Sequence, residues 1–250
     1  MKKIIPLVIA IFFTLQSFSQ KFSRDTCTNI FSISATYGYF KPGGDLKKRF
    51  GDNSTIGAAL LYKTSKNWLF GLDWNYIFGN KIKEDTILNN ISTKEGFVID
   101  GNGYPAMINL FERGFLTSVK FGKLIPLNNN NPNSGIVLLG SIGLLQHKIR
   151  IENSDNAAVQ IRGDYKKGYD RLTNGLSVSE YLGYMFYGKR NLTNFYIGFE
   201  FTQAWTQNRR SFNFDTQSRD TSKRLDLLFG AKIGWMIPFY SRKPQKYYYN

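Results

Sequence analysis

Hydrophobic and polar residues alternate with a two-residue period along most of this chain. The longest such stretch, residues 224–239, has apolar side chains at its odd positions from Leu225 to Phe239, and Asp226 and Lys232 at even ones. A period of two is that of a β-strand with two unlike faces. Sixteen residues exceed the usual strand of a soluble sheet but suit a tilted membrane crossing. The pattern predicts a transmembrane β-strand.

Seven further segments alternate in the same way, which gives eight predicted strands. Their bounds are 30–40, 54–63, 68–78, 110–123, 136–151, 174–187, 195–206 and 224–239. The connections are alternately long and short, as expected when long loops are extracellular and short turns periplasmic. The predicted fold is therefore all-β, an eight-stranded antiparallel up-and-down transmembrane β-barrel over residues 30–240 with both termini periplasmic. The alternative, a soluble sandwich, gives no reason for this alternation of loop lengths.

The N-terminal residues have the composition of a secretory signal peptide. Lys2 and Lys3 precede an apolar stretch, and small residues precede Gln20. We expect residues 1–19 to be removed, 20–29 to form a periplasmic segment and 241–250 to form a periplasmic tail. Beyond the signal peptide no apolar run approaches twenty residues, so no transmembrane helix is expected. Cys27 is the only cysteine, which excludes an intrachain disulfide.

The formal net charge of the chain is +15. In a soluble protein this excess would favour a nucleic-acid partner. An exported chain meets anionic lipid head groups and polysaccharide first. The basic residues are spread between loops and tail, so the charge alone favours no single partner. The predicted membrane barrel makes outer-membrane lipid an expected partner, and no nucleic-acid partner is expected.

Six charged residues fall on the inward faces of the predicted strands. They are Asp73, Glu112, Lys120, Glu200, Asp226 and Lys232. An eight-stranded barrel is just wide enough inside for side chains, and buried charges must be paired. We expect these residues to form an internal network of ion pairs and hydrogen bonds. The alternative is an ion or proton path, as in a small pore.

Candidate catalytic residues are few. His147 is the only histidine, which excludes a His-rich metal site, and a Ser-His-Asp arrangement would have to combine it with residues such as Ser154 and Asp155. No phosphate-binding glycine motif, paired-cysteine motif or calcium loop is present. We expect no enzyme activity, no cofactor and no metal. A lipid-modifying enzyme that uses His147 at the outer rim is the alternative.

Two charges interrupt the alternation, and one strand changes phase. Glu180 and Arg113 share their parity with apolar neighbours. For Glu180, a β-bulge that turns the carboxylate inward is the preferred interpretation, and a covering protein partner is the alternative. In the fifth strand, Ile149 and Ile151 fall on the opposite parity from the earlier apolar residues, so either a bulge shifts the phase or the strand has left the membrane.

The third long loop combines tyrosines with basic residues. Tyr165, Tyr169 and Arg171 belong to the residue types that are enriched at protein interfaces. Together with Glu180 and Arg113 they are candidate partner contacts. A solvated loop without a partner is the alternative for this segment.

The closing strand resembles the signal by which Gram-negative outer-membrane barrels are recognised for insertion. That signal has a polar residue, a glycine, an apolar residue and an aromatic residue, which correspond here to Lys232, Gly234, Ile237 and Phe239. The resemblance implies that the barrel-assembly machinery binds this strand during insertion.

Residues 20–240 as a whole resemble the small outer-membrane barrels of Bacteroidota. The resemblance rests on Gln20 after a short signal peptide, the richness in Asn and Lys, the eight strands and the closing signal. That class includes PorG-like and PorT-like components of type IX secretion and barrels attached to the barrel-assembly machinery. It implies a non-enzymatic anchoring or accessory subunit with protein partners in an outer-membrane complex. No motif identifies one member, so no residue role is carried over.

Overall fold

The computed structural model describes residues 27–188 and 192–240. These residues form eight antiparallel strands in one closed barrel, in which each strand pairs with its neighbours in the chain and the last pairs with the first. The strands are β1 (Ile30–Gly44), β2 (Asn53–Lys63), β3 (Trp68–Gly79), β4 (Ile108–Pro126), β5 (Gly135–Asn153), β6 (Thr173–Phe186), β7 (Phe195–Asn208) and β8 (Lys223–Tyr240). The predicted all-β, eight-stranded antiparallel fold is confirmed. The predicted signal peptide, residues 20–26 and the tail 241–250 lie outside the described residues.

The register of the strands fixes the width of the barrel. A path that starts at Ile30 and passes from each residue to its paired residue on the next strand returns to β1 at Phe40. The offset between these two residues, ten positions, is the shear of the barrel. A closed sheet of eight strands with such a shear has strongly tilted strands and an interior that side chains can fill. The inward positions of every strand therefore belong to one shared core.

The outward face is an apolar belt. Large hydrophobic side chains such as Leu72, Val119, Ile142 and Phe199 are exposed along the middle of the strands. Aromatic pairs lie near both ends, with Trp68 stacked on Phe121 and Phe31 against Phe239 at one end, and Tyr76 beside Phe78 at the other. An apolar band between two aromatic rings is the exterior of a barrel that spans a membrane.

The phase change of the fifth strand is explained without a bulge. β5 pairs with β4 residue by residue from Gly135 to Asn153, and inward and outward positions alternate throughout. Ile149 and Ile151 face inward beyond the apolar belt, where they join a buried cluster supplied largely by the long loops. The strand has therefore left the apolar belt at these residues, which was the second of the two interpretations.

The long loops close one end of the barrel. After β1 the chain forms a one-turn helix, α1 (Leu46–Arg49), whose Leu46 is buried together with the next residue, Phe50. These two side chains belong to the same cluster as Ile149 and residues from the later loops, among them Ile87, Val98 and Ile161. The loops thus have an apolar core of their own above the polar barrel interior.

The preferred interpretation of Glu180 was wrong. β6 pairs with β5 and β7 without interruption from Thr173 onward, so no bulge turns this residue inward. Its side chain is exposed on the outer face of the barrel. Backbone hydrogen bonds on both sides of β6 hold the strand in one phase, and this keeps the carboxylate in the apolar belt.

Candidate functional site

Two lysines and two carboxylates form a closed group inside the barrel. Lys120 Nζ lies 2.7 Å from Asp73 Oδ2 and 3.3 Å from Glu200 Oε2. Lys232 Nζ lies at the same distances from the same two oxygens. All four side chains are buried, and their formal charges cancel. We call Asp73, Lys120, Glu200 and Lys232 the charge square.

The other two inward carboxylates lie nearer the long loops and have different partners. His147 Nε2 lies 2.9 Å from Asp226 Oδ2, which also accepts a hydrogen bond from Thr206 Oγ1 at 2.5 Å. Glu112 accepts two hydrogen bonds from Asn53 Nδ2, at 3.1 and 3.2 Å. Among the described residues, neither carboxylate lies within salt-bridge distance of a lysine or arginine. The six predicted interior charges thus form three separate groups instead of one network.

His147 is inside the barrel, away from the lipid. Its side chain is 1% exposed and meets the ring of Phe50 edge to face, with 5.4 Å between the ring centroids. Its hydrogen-bond partner is Asp226 on β8, whereas Ser154 and Asp155 lie in a 3₁₀ turn that follows β5. The serine and aspartate proposed for a rim enzyme are therefore not the partners of this histidine.

Ion pairs join the long loops to one another. Glu84 accepts from Arg171 Nη1 at 2.7 Å and from Arg49 Nε at 3.2 Å, which links the first, second and third loops. Arg171 also pairs with Asp215 of the fourth loop. Because all four long loops meet at these side chains, they hold the loop layer together.

The predicted partner contacts of the third loop differ in how exposed they are. Tyr169 is 4% exposed and packs edge to face on Phe214, with 5.4 Å between ring centroids. Burial raises the pKa of the Tyr169 phenol. Tyr169 and Arg171 are therefore engaged between loops, while Tyr165 remains at the surface, 64% exposed.

A forked ion pair ties the third loop to the fourth. Arg210 Nε and Nη2 donate to the two carboxylate oxygens of Asp170, at 2.7 and 2.5 Å. This hydrogen bonding raises the pKa of Arg210. In α1, burial lowers the pKa of Arg49, and the nearby charge of Glu84 opposes that shift. Both arginines serve the packing of the loops.

Glu180 is the exception among the charged residues of the strands. It lies halfway along β6, with Gly140 of β5 and Phe201 of β7 as its register partners. Within residues 27–188 and 192–240, its carboxylate makes no hydrogen bond and no ion pair. A charged carboxylate facing hydrocarbon at mid-depth is costly, and ionisable residues at such positions are usually functional.

The surface beside Glu180 is concave. A side chain added at Gly140 would find its nearest atom, the carbonyl oxygen of Phe121, 3.9 Å from its Cβ, so this glycine leaves open space on the lipid face. The space forms a groove of about 600 Å³. Its outward lining includes Leu138, Gly140, Glu180, Leu182, Phe199 and Phe201. We call this the Glu180 groove.

Arg113 lies at the rim of the barrel toward the long loops. Its Nη1 donates to the carbonyl oxygens of Gly79 and Glu112, and the guanidinium stands 4.8 Å from the ring centroid of Phe111. Unlike Glu180, it lies near the loop end of its strand, between the outward residues Phe111 and Phe115.

The residues of the predicted insertion signal lie along β8. Lys232 belongs to the charge square, and Gly234 faces inward against the ring of Tyr196. Phe239 faces outward and its ring lies 6.1 Å from that of Phe31, while Ile237 pairs with β1. Recognition of this strand during insertion stays a prediction.

The described residues contain neither a metal-binding group nor a membrane-spanning helix. No group of three or more His, Cys, Asp or Glu side chains in residues 27–188 and 192–240 is arranged to hold a metal ion. In the same residues, no helix has the length and apolar character needed to cross a membrane.

The sequence matches no protein-family model and no curated protein. The chain is similar in structure to Ail, the attachment invasion locus protein of Yersinia pestis, with a TM-score of 0.45 and 10% identity over 84% of this chain and 99% of that one. It is similar to Neisserial surface protein A, with a TM-score of 0.44 and 8% identity over 82% and 96% of the two chains. It is also similar to the outer membrane protein OprG from Pseudomonas aeruginosa, with a TM-score of 0.36 and 8% identity over 88% of this chain and 99% of that one.

The closed sheet, the filled interior and the apolar exterior together define a small transmembrane β-barrel. Sequence reasoning missed Asn53 as the partner of the buried Glu112. It also missed Arg49 as the partner of the half-buried Glu84. Asn53 lies one residue before the predicted start of its strand, and Arg49 lies in a segment assigned to a loop. For Asn53, its position directly before an alternating stretch was the available signal; for Arg49 there was none.

Proposed function

We propose that this protein is a non-enzymatic anchoring or accessory subunit of an outer-membrane assembly, such as a secretion or barrel-assembly machine. In this proposal the long loops are extracellular, and the short turns and both termini are periplasmic. The signal-peptide composition and the apolar belt support an outer-membrane location.

A transport role is less well supported because the interior is occupied. The charge square crosses the barrel, and the apolar loop cluster covers it at one end. A permeant ion would have to separate buried pairs whose charges already cancel. The proposal therefore predicts no steady conductance in planar bilayers.

The observation that carries the proposal is Glu180 in its groove. A lipid chain offers this carboxylate neither a hydrogen bond nor a positive charge, so the isolated barrel leaves it unsatisfied. A partner that fills the groove with apolar side chains and brings a lysine or arginine to Glu180 would satisfy both the shape and the charge. We therefore assign the groove to a partner barrel with a basic residue at mid-depth.

A second copy of this chain fits the groove less well. On the described strands, the outward lysines and arginines lie near the rims, at Lys41, Arg113, Lys123, Lys148, Arg150 and Lys223, and none lies at the depth of Glu180. A symmetric dimer through the groove would instead bring two Glu180 carboxylates together. Charge complementarity thus favours a different protein.

The test combines site-specific crosslinking with purification. A photo-reactive residue replaces Leu182 in the groove or, as the control, Thr117 on the outer face of β4. We expect a discrete hetero-crosslink from position 182, its loss by roughly tenfold in Glu180→Gln, and no such product from position 117. Equal crosslinking from both positions, or an undiminished product in Glu180→Gln, would overturn the proposal.

A second variant separates the groove from the charge. The Cβ of Gly140→Leu would lie 3.9 Å from its nearest atom, an ordinary van der Waals contact, so the barrel should still assemble. The variant should block the partner as Glu180→Gln does. A partner that tolerates both variants does not use this groove.

A further inference from the structure

Three cations lie on the outer faces of β4 and β5 near the long loops, at a common level. On β4 the outward residue Arg113 follows Phe115 two residues on, and the next outward residue is Phe111. On β5 the apolar side ends at Leu144, and Lys148 and Arg150 follow after one neutral position. Arg113 lies directly opposite Lys148 in the antiparallel pair, and Arg150 is the next outward residue of β5.

This arrangement places like charges side by side. Side chains directly opposite each other in an antiparallel pair are close neighbours, and like charges there repel. Among the described residues, the one carboxylate paired with these cations is Glu152, whose Oε1 lies 3.9 Å from Arg150 Nη2, and both partners of this pair are about half exposed. An anion between Arg113 and Lys148 would turn this repulsion into attraction.

The Arg113 side chain is already held in place for such an anion. Its Nη1 donates to the carbonyl oxygens of Gly79 and Glu112, at 3.2 and 2.6 Å, and its guanidinium stacks over Phe111. The Nε and Nη2 groups make no hydrogen bond to the described residues. A guanidinium edge with two free donors fits the oxygens of a phosphate.

We propose that Arg113, Lys148 and Arg150 bind a phosphate group of a lipid headgroup. The cations lie directly beyond Phe115 and Leu144, at the level where we expect the acyl chains of a lipid to end and its headgroup to begin. A phosphate there would contact the cations while its acyl chains cover Phe115 and Leu144. This site lies on β4 and β5 above the belt, and it does not depend on a partner in the Glu180 groove.

The opposite rim supplies the control. Lys123 is also an outward cation of β4, and its Nζ lies 5.0 Å from the ring centroid of Trp68. Its register partners are Trp68 and Leu138, so no second cation faces it. Lys123→Gln removes the same charge from the same strand without touching the proposed site.

The experiment measures lipid binding to the full-length mature barrel in detergent by native mass spectrometry. The probes are lipid A with two phosphates, the same lipid without phosphates, and inorganic phosphate. We expect the two-phosphate lipid to bind the wild-type protein and to bind the triple variant Arg113→Gln, Lys148→Gln, Arg150→Gln roughly tenfold or more weakly. Lys123→Gln should bind as the wild type does.

Each arm of the experiment has a result that contradicts the site. Equal affinity of the triple variant and the wild type, or of the lipid with and without phosphates, would overturn it. Displacement of the lipid by an equal concentration of inorganic phosphate would show a site for free phosphate and would overturn the assignment to a lipid. The gel mobility of unheated protein checks that each variant is folded.

Discussion

The carboxylates of the charge square and of Glu180 face opposite sides of the same barrel wall. Asp73 and Glu200 face inward, and each lies within 3.3 Å of both Lys120 and Lys232. Glu180 faces outward among Val178, Leu182 and Phe201, without a partner in the described residues. The two kinds of carboxylate differ in whether their position along the strand faces the interior or the lipid. An inward charge can complete a neutral buried group, whereas an outward charge that faces hydrocarbon without a partner is costly.

The interior and exterior carboxylates also differ in the groups that surround them. The interior carboxylates have several donors, since Asp73 also accepts a hydrogen bond from Asn75 Nδ2 at 2.8 Å. The exterior carboxylate has open space beside it at Gly140. Contact with lipid alone would explain neither the Glu180 carboxylate nor the concave surface beside it. The difference therefore separates residues that serve the fold from one that, in the function proposed above, serves an interaction.

The largest expected effect is the removal of one carboxylate from the charge square. Asp73→Asn keeps the size of the side chain but leaves two buried lysines with one carboxylate. An uncompensated buried charge costs about 3–5 kcal/mol of unfolding free energy. Denaturant unfolding of the barrel in lipid vesicles, followed by tryptophan fluorescence, measures the loss.

The matched control is an exposed ion pair in a long loop. Lys167 lies 2.8 Å from Asp164, and both side chains are mostly exposed. Lys167→Gln should leave the unfolding transition unchanged, because exposed pairs contribute little. If Asp73→Asn were as mild as this control, the square would not be a stabilising feature.

A smaller effect is expected from restoring neutrality. Lys232→Met in the Asp73→Asn background leaves Lys120 with Glu200, so one neutral pair remains. The double variant should recover about 1–3 kcal/mol relative to the sum of the two single losses. Additive losses in the double-mutant cycle would mean that the two side chains do not interact.

The sequence predicted the barrel because its strands obey one strong rule. A polar core and a lipid exterior force a period of two, so the pattern of residues such as Trp74 and Asp73 defines the strand and both of its faces. Parity also placed all six interior charges inward. It did not predict which side chains meet, since the register and the shear between strands are set by pairing around the whole ring.

The two-residue period did not predict the packing of the loops or the orientation of Glu180, for separate reasons. Phe50 and Tyr169 are buried by contacts between irregular segments, which have no period to read. Glu180 was assigned to a bulge because a lipid-facing charge is costly, yet the unbroken ladders of β6 with both neighbours outweigh that local cost. The alternating pattern was the more reliable of the two signals.

The smallest expected effect has the opposite sign and sharpens the comparison most. Glu180→Leu removes a charge from the apolar belt, so the isolated barrel should gain about 1–2 kcal/mol of unfolding free energy in lipid vesicles. The same substitution should weaken the crosslinked complex, because the partner loses its ionic contact. Thr117→Leu, on the outer face of β4, should change neither the crosslink from position 182 nor the stability by a comparable amount. A destabilised barrel in Glu180→Leu would mean that this carboxylate belongs to the fold and not to an interface.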